Sequence, residues 1–288
     1  MTGGNNREWN WQSHWFAPAK INLFLHVVGR RADGYHLLQT LFRFLDYGDH
    51  LRFSPRNDGK VVITTPIAGV PPETDLCARA ARLLQDATGC PRGVDITLEK
   101  RLPMGGGLGG GSSDAATTLL ALNHLWQLGL TRARLQELAL TLGADVPVFV
   151  FGQNAFAEGV GERFTALPLP EAWYLLLVPP VAAPTARVFA SPHLRRDTPA
   201  IHAADWYRGY GHNDLEPVAT ALYPEIAECL NWLRQRAGAT ASRMSGSGAC
   251  VFAECPDEKS ARALKAELPD GWRGKVARGL AEHPLARL

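Results

Sequence analysis

"PMGGGLGGGSSDAA", residues 103–116, places six glycines in seven positions and then runs through two serines and an aspartate into a helix-forming stretch. Upstream, "GVDITLEK" (93–100) alternates Val94, Ile96 and Leu98, the period-two pattern of a strand. Downstream, the composition predicts a helix from Ser113 to Gln127. A strand that feeds a bare loop opening a helix brings unshielded backbone N–H groups and the positive end of a helix dipole to one place. Ser112, Ser113 and Asp114 suit the N-cap, and the two hydroxyls also suit a phosphate oxygen or a metal ion. A phosphate is the guest that such a loop fits.

The kind of phosphate site is narrowed by what is missing. Gly105, Gly107 and Gly110 satisfy G-x-G-x-x-G, but "EKRLP" (99–103) separates strand from loop, and the region about twenty residues on reads as helix, against a dinucleotide site. No lysine follows the glycines as G-K-[ST], and the H-R-D and D-F-G signatures are absent, which excludes a Walker A loop and a protein kinase.

Around the loop the chain alternates between strand and helix patterns. "APAKINLFLHVV" (17–28) sets Ile21, Leu23 and Leu25 on one face and Lys20 and Asn22 on the other; an Asp33-Gly34 turn and the extended "LLQTLFRFLDYGDHLRF" (37–53) follow. "TDLCARAARLLQDATG" (74–89) reads as a helix capped by Thr74 or Asp75 and ended by Gly89. A helix after Thr131 turns Leu135, Leu138 and Leu142 inward and stops at Gly143, and "DVPVFVF" (145–151) is expected to be extended. Strands at 174–180 and 249–255 and helices at 223–238 and 257–268 complete the pattern. Without strict βαβ alternation the fold class is α+β, and the stretch 152–161 divides two expected domains, 1–157 and 158–288.

A chain of 288 residues, 46% hydrophobic and 20% charged, buries a substantial core. Thirty Lys+Arg against 28 Asp+Glu give a net charge of +2 with no long basic run, so neither nucleic acid nor a membrane surface is an expected partner, and Arg30-Arg31 and Arg195-Arg196 read as solvated pairs. The longest apolar stretch, 174–184, is too short for a bilayer and is interrupted by Pro179 and Pro180. The N-terminus lacks the basic and apolar regions of a signal peptide, which points to the cytoplasm. Five cysteines without a CxxC pair read as reduced, mostly buried thiols rather than a zinc site. Trp9, Trp11 and Trp15 mark an N-terminal extension whose first residues are expected to be disordered, the alternative being a covered surface patch or partner site.

Pro103, Gly107-Leu108-Gly109, Ser112-Ser113 and Ala115-Ala116 spell P-x-x-x-G-L-G-x-x-S-S-x-A-A, which resembles the phosphate loop of the GHMP small-molecule kinases. "APAKINLFLHVVGRRADGYHLLQT" and "SGSGACVFA" resemble that family's N-terminal signature and its C-terminal glycine motif. The ordered motifs "PAKINLFL", "RADGYHLLQT", "LGADVPVFV", "FAEGVGE" and "NDLEP" are similar to the branch that acts on a cytidine diphosphate-bearing methylerythritol, and the resemblance covers nearly the whole chain after residue 15. It implies a two-domain fold, with an N-terminal ribosomal-S5-domain-2-like domain and a C-terminal ferredoxin-like α/β domain.

The same resemblance implies ATP and Mg²⁺, without assigning protein ligands to the metal, and a monomer or homodimer. Nucleotide binding falls on Lys100, Pro103, Met104, Gly105, Gly106, Gly107, Leu108, Gly109, Gly110, Gly111, Ser112 and Ser113. Read from the residues alone, Asp145 serves equally as a turn cap and Lys20 as a solvated strand residue. The resemblance makes Asp145 the base that takes the hydroxyl proton and Lys20 its electrostatic partner, and a neighbouring lysine favours the carboxylate form of an aspartate. Tyr35 and His36 alone read as packing; the resemblance turns them to a cytosine with Phe189, and adds Asn22, Asp145 and Thr185 to the acceptor site. A GHMP kinase for mevalonate, homoserine or a sugar is the rival reading, and a non-catalytic ligand sensor the other; retention of both Lys20 and Asp145 opposes the sensor.

Overall fold

The computed structural model describes residues 9–208 and 211–288. Strands β1 (Trp15–Arg30) and β2 (His36–Arg56) form a long antiparallel ladder with Lys20 opposite Phe44 and Arg30 opposite His36. β3 (Val61–Ile63) is followed by α1 (Leu76–Thr88), where the Asp75 side chain accepts from the Ala78 N–H at the start and Gly89 ends the helix in the left-handed region. β4 (Gly93–Glu99) runs antiparallel to β2 and parallel to β3. Helices α2 (Gly110–Leu125), α3 (Arg132–Leu142) and α4 (Val146–Phe151) precede the hairpin of β5 (Ala155–Glu158) and β6 (Arg163–Ala166). The first sheet runs β3-β4-β2-β5-β6, with β1 also paired to β2.

β7 (Trp173–Leu177) opens a second sheet, and α5 (Thr185–Phe189), α6 (Glu216–Leu222) and α7 (Pro224–Ala237) lead to β8 (Ser242–Met244) and β9 (Val251–Cys255). α8 (Glu258–Ala266) and β10 (Gly274–Arg278) finish it in the order β10-β7-β9-β8. The mixed, largely antiparallel architecture is the α+β class read from the sequence. The 157/158 division falls inside β5, and β5–β6 pairing carries the first sheet to Ala166.

Two local readings are corrected. The stretch 145–151 is not extended: Val146–Phe151 is a helix, with Pro147 in its first turn and left-handed Gly152 (φ 83°) at its end. Five of its six residues are buried, and an apolar run that short carries no period to distinguish helix from strand. Helix α2 begins at Gly110, earlier than Ser113, and its N-cap is left-handed Gly109 (φ 73°) without a side-chain cap bond, so Ser112, Ser113 and Asp114 lie in the helix rather than capping it.

The expectation of disorder for the first residues falls on 1–8, outside the described residues. From Trp9 onward the tryptophans are tied to the core: Trp15 is fully buried, Trp9 stacks on it with ring centroids 4.7 Å apart, and the half-buried Trp11 packs on the same cluster.

Strand β1 serves three cores in turn, because its ladder shifts register between Pro18 and Lys20 and again between Asn22 and Leu25. Trp15 and Ala17 enter the cluster beneath α1–α4, Ile21 and Leu23 pack between the two sheets with Leu176 and Phe252, and Leu25 and Val27 join the core of the second sheet. Each irregularity flips the alternation, so the single face read for Ile21, Leu23 and Leu25 is divided. The first shift also turns Lys20 and Asn22 to the helix side, across from Phe44 and Phe42 of that core. The face opposite Ile21 is therefore buried: Lys20 and Asn22 are each 3% exposed.

Candidate active site

The glycine loop is held by its carbonyls. Gly106 O accepts from Cys250 N (3.1 Å), Gly107 O from the Ser245 hydroxyl (3.1 Å) and Leu108 O from Lys20 N (2.9 Å). In a trans peptide C=O and N–H point in opposite directions, so the N–H groups of Gly107, Leu108 and Gly109 point away from these three partners. The loop lies along a cavity of about 420 Å³ lined by Lys100 and by every residue from 103 to 112. Ser113 stands apart from the other residues expected there: it is fully buried, with its N–H bonded to Gly109 O inside α2.

Close approach explains the glycines that matter. A Cβ on Gly107 (φ 73°) would stand 2.8 Å from the carbonyl oxygens of Ser245 and Gly248, and one on Gly110 would stand 2.9 Å from Lys100 Nζ. The loop is packed against the second glycine motif on one side and a lysine on the other.

Beneath it lies a buried ion cluster. Lys100 Nζ reaches Asp49 Oδ2 at 2.5 Å and Asp114 Oδ2 at 2.8 Å, while Asp49 Oδ1 accepts from the N–H groups of Arg101 (2.5 Å) and Leu102 (2.7 Å). Asp49 on β2 thereby fixes the chain entering the loop, and Lys100 ties that entry to Asp114 beyond the loop. Burial pushes the Asp114 carboxyl up to about 8, against the pull of Lys100 and with the push of Asp49. Burial lowers the Lys100 ammonium, but the two carboxylates outweigh it and leave it above its ordinary value.

A second cavity, of about 610 Å³, shares Gly105, Gly107, Ser112 and Asp145 with the first. At this junction Lys20 Nζ lies 3.1 Å from Asp145 Oδ2 and donates to Asn22 Oδ1 at 2.7 Å. The Asn22 amide donates onward to the Thr40 hydroxyl (2.8 Å), which locks its orientation. Lys20 is buried and Asp145 is 42% exposed, so the carboxylate faces the cavity while the ammonium supports it from behind. Neither the turn-cap reading of Asp145 nor the solvated reading of Lys20 survives: Asp145 makes no side-chain cap bond to α4, and Lys20 is buried.

The motif 245–248 is seated on the site from the second sheet. Ser245 Oγ accepts from Asn22 N (3.1 Å) as well as donating to Gly107 O, and a Cβ on Gly246 would stand 3.3 Å from Asn22 Oδ1. "NDLEP" (213–217) holds the approach to this motif: the Asn213 amide donates to Met244 O and Gly246 O, both at 2.8 Å, and Glu216 Oε2 accepts from Met244 N at 3.1 Å. Asn213, Glu216 and Asp49 carried no role in the sequence reading; the motif "NDLEP" was visible, but its partners lie about thirty residues away.

Thr185 and Phe189 line the second cavity, and the Thr185 hydroxyl is 2.8 Å from that of Ser247. His36 does not line it but meets Phe189 ring to ring, centroids 5.0 Å apart at 37°. The two rings touch, so this geometry leaves no slot for a base between them. Tyr35 is 65% exposed. Arg196, read as half of a solvated pair, instead donates to His36 Nε2 and to three backbone carbonyls.

Comparison with known proteins agrees with this geometry. The model of the GHMP kinases N-terminal domain matches residues 75–153, and that of the GHMP kinases C-terminal domain matches 201–274. The chain is 61% identical over 274 residues to the 4-diphosphocytidyl-2-C-methyl-D-erythritol kinase of Dechloromonas aromatica, covering 95% of this chain and 99% of that one. It is 61% identical over 269 residues to the kinase of the same name from Nitrosospira multiformis, covering 93% and 92%. A crystal structure of 4-(cytidine 5'-diphospho)-2C-methyl-D-erythritol kinase superposes with a TM-score of 0.80 at 38% identity, over 93% of this chain and 99% of that one. A homoserine kinase from Cytophaga hutchinsonii, 18% identical, shares the fold with a TM-score of 0.71 over 94% and 95%. On the matched domain models and on relatives alike over almost their whole length, this chain belongs to the GHMP kinase family.

Proposed function

We infer that this protein transfers the γ-phosphoryl group of ATP to the 2-hydroxyl of 4-diphosphocytidyl-2-C-methyl-D-erythritol, a step of the non-mevalonate route to isoprenoid precursors. The observation that carries the reading is the Lys20–Asp145 contact of 3.1 Å at the one junction of the two described cavities, with the glycine loop on one side and Thr185 and Phe189 on the other. Phosphoryl transfer asks a protein mainly for positioning and charge compensation, and the site offers both.

Asp145 takes the proton of the acceptor hydroxyl as its oxygen attacks phosphorus; the new O–P bond forms as the bond from the γ-phosphorus to its bridging oxygen breaks, and ADP leaves. Lys20 holds the carboxylate in place and offsets the negative charge on the attacking oxygen, and Asn22 keeps Lys20 aimed. The N–H groups of the loop bind the nucleotide phosphates, and Lys100 bounds the same cavity. Mg²⁺ bound with ATP would offset charge on the phosphate oxygens; the half-exposed Ser112 hydroxyl, common to both cavities, fits as a ligand, whereas buried Ser113 does not. Relatives that are 61% identical over almost their whole length bear the name of the cytidyl-substrate kinase, which supports this acceptor over mevalonate, homoserine or a sugar.

Replacing Asp145 by Asn tests the assignment. Turnover should fall by about 10²–10⁴-fold, with the dissociation constant for ATP within a few-fold of the wild type. Near-normal turnover would remove Asp145 from the role of base.

A further inference from the structure

Helix α4, which begins one residue after Asp145, is too short to fix its own position. A helix of six residues closes few internal hydrogen bonds, so the backbone groups at its ends must find partners elsewhere. Asp145 makes no side-chain cap bond to it, and the carboxylate therefore stands where the packing of α4 puts it and where Lys20 meets it. Whatever holds α4 sets the geometry of Asp145.

Two residues that line neither of the two cavities hold the far end of this helix. The guanidinium of Arg132, at the start of α3, donates through Nη1 to Val150 O in α4 (2.5 Å) and through Nη2 to Leu285 O (2.9 Å) and Ala286 O (3.0 Å), in the segment 279–288 that follows β10. That segment returns the grip. His283 N donates to Gly152 O at 2.8 Å, and the His283 imidazole, 1% exposed, accepts from Leu285 N at Nδ1 (3.0 Å). The same imidazole stands nearly perpendicular to the rings of Phe44 and Phe149, with centroids 5.5 and 6.4 Å away.

The fit at both ends of α4 is close. A Cβ on Gly152 would stand 3.2 Å from Ala286 Cα and 3.3 Å from Arg132 Nη1. Toward the site, a Cβ on Gly109 would stand 3.0 Å from the Phe149 ring and 3.1 Å from the Lys20 side chain, so Phe149, Lys20 and the start of α2 meet at one point.

We propose that Arg132 and His283 are positioning residues for the base: by tying the segment 279–288 to the end of α4, they fix the tilt of the helix that sets Asp145 against Lys20 and the acceptor hydroxyl. From Asp145 to Gly152 the helix spans about 10 Å, short enough for a displacement at one end to reach the other. The proposal rests on Asp145 as the base of the function above and adds what holds it in place. Because neither residue lines a binding surface, their loss should be felt in turnover and not in binding.

Arg132→Met should lower kcat about 10–100-fold, with KM for ATP and for the cytidyl substrate within twofold. Placed on Asp145→Asn, where the base is already absent, the same change should cost less than twofold; a merely structural loss would cost as much in both backgrounds. Equal losses in the two backgrounds, or an unchanged kcat in Arg132→Met alone, would overturn the proposal. His283→Ala removes the imidazole beside Phe149 but keeps the Arg132 bonds; it goes through the same cycle with the same expectation, and decides the matter where Arg132→Met does not fold. If Asp145→Asn itself retains near-normal turnover, the assignment of the base fails, independently of Arg132 and His283.

Discussion

Asp114 shows how one side chain beside the loop couples stability to pH. Burial pushes its native carboxyl up to about 8, from the 3.8 of an unfolded chain. Between those values the native state holds a proton that the unfolded state has released, so unfolding becomes easier as pH rises, and the loss is complete above about 8. Asp114→Asn abolishes this titration and leaves Lys100 paired with Asp49. Thermal melting should show the wild type losing stability relative to the variant from pH ~4 to ~8; parallel curves would place the titration elsewhere. At this scale the sequence pointed to Lys20 and Asp145, which sit inside motifs and lie 3.1 Å apart in the fold. It disclosed neither Asp49, bonded to chain 51 to 53 residues away, nor Arg196, 160 residues from His36. Such pairs exist only once the sheets are assembled.

Among elements, the glycine loop is held by two different constraints that can be separated. Gly105 and Gly107 both have positive φ, 69° and 73°, but an added Cβ meets nothing within 4 Å at Gly105 and two carbonyl oxygens at 2.8 Å at Gly107. Gly105→Ala should cost only the backbone term of ~1 kcal/mol. Gly107→Ala should cost about 1–3 kcal/mol more and weaken ATP binding, because the loop must withdraw from the motif 245–248. Urea unfolding with ATP titration measures both, and equal effects would mean that the close contact with that motif is unimportant. Elements with end signals were legible: α1 lies between Asp75 and Gly89, and α3 is capped by Thr131. Helix α4 was not, because six apolar residues fit either period, and neither was the register shift after Pro18 that aims Lys20, because an irregularity in a ladder depends on the partner strand.

For the whole molecule, the two sheets pack through Ile21, Leu23, Tyr174 and Phe252, and the second cavity is lined from both sides of that seam. Lys20, Asn22 and Asp145 come from the part of the chain before β5, and Thr185, Phe189 and Ser247 from the part after β7. On the proposed function, acceptor choice would be a property of the assembled pair, while the phosphate loop alone would serve any member of the family. The most direct test is to incubate the enzyme with ATP, Mg²⁺ and each of 4-diphosphocytidyl-2-C-methyl-D-erythritol, mevalonate, homoserine and galactose, and to compare kcat/KM while locating the new phosphomonoester by phosphorus NMR. The account predicts efficient transfer to the cytidyl compound alone, with the new phosphate on its 2-hydroxyl; equal turnover of mevalonate or homoserine, or a phosphate on another hydroxyl, would contradict it.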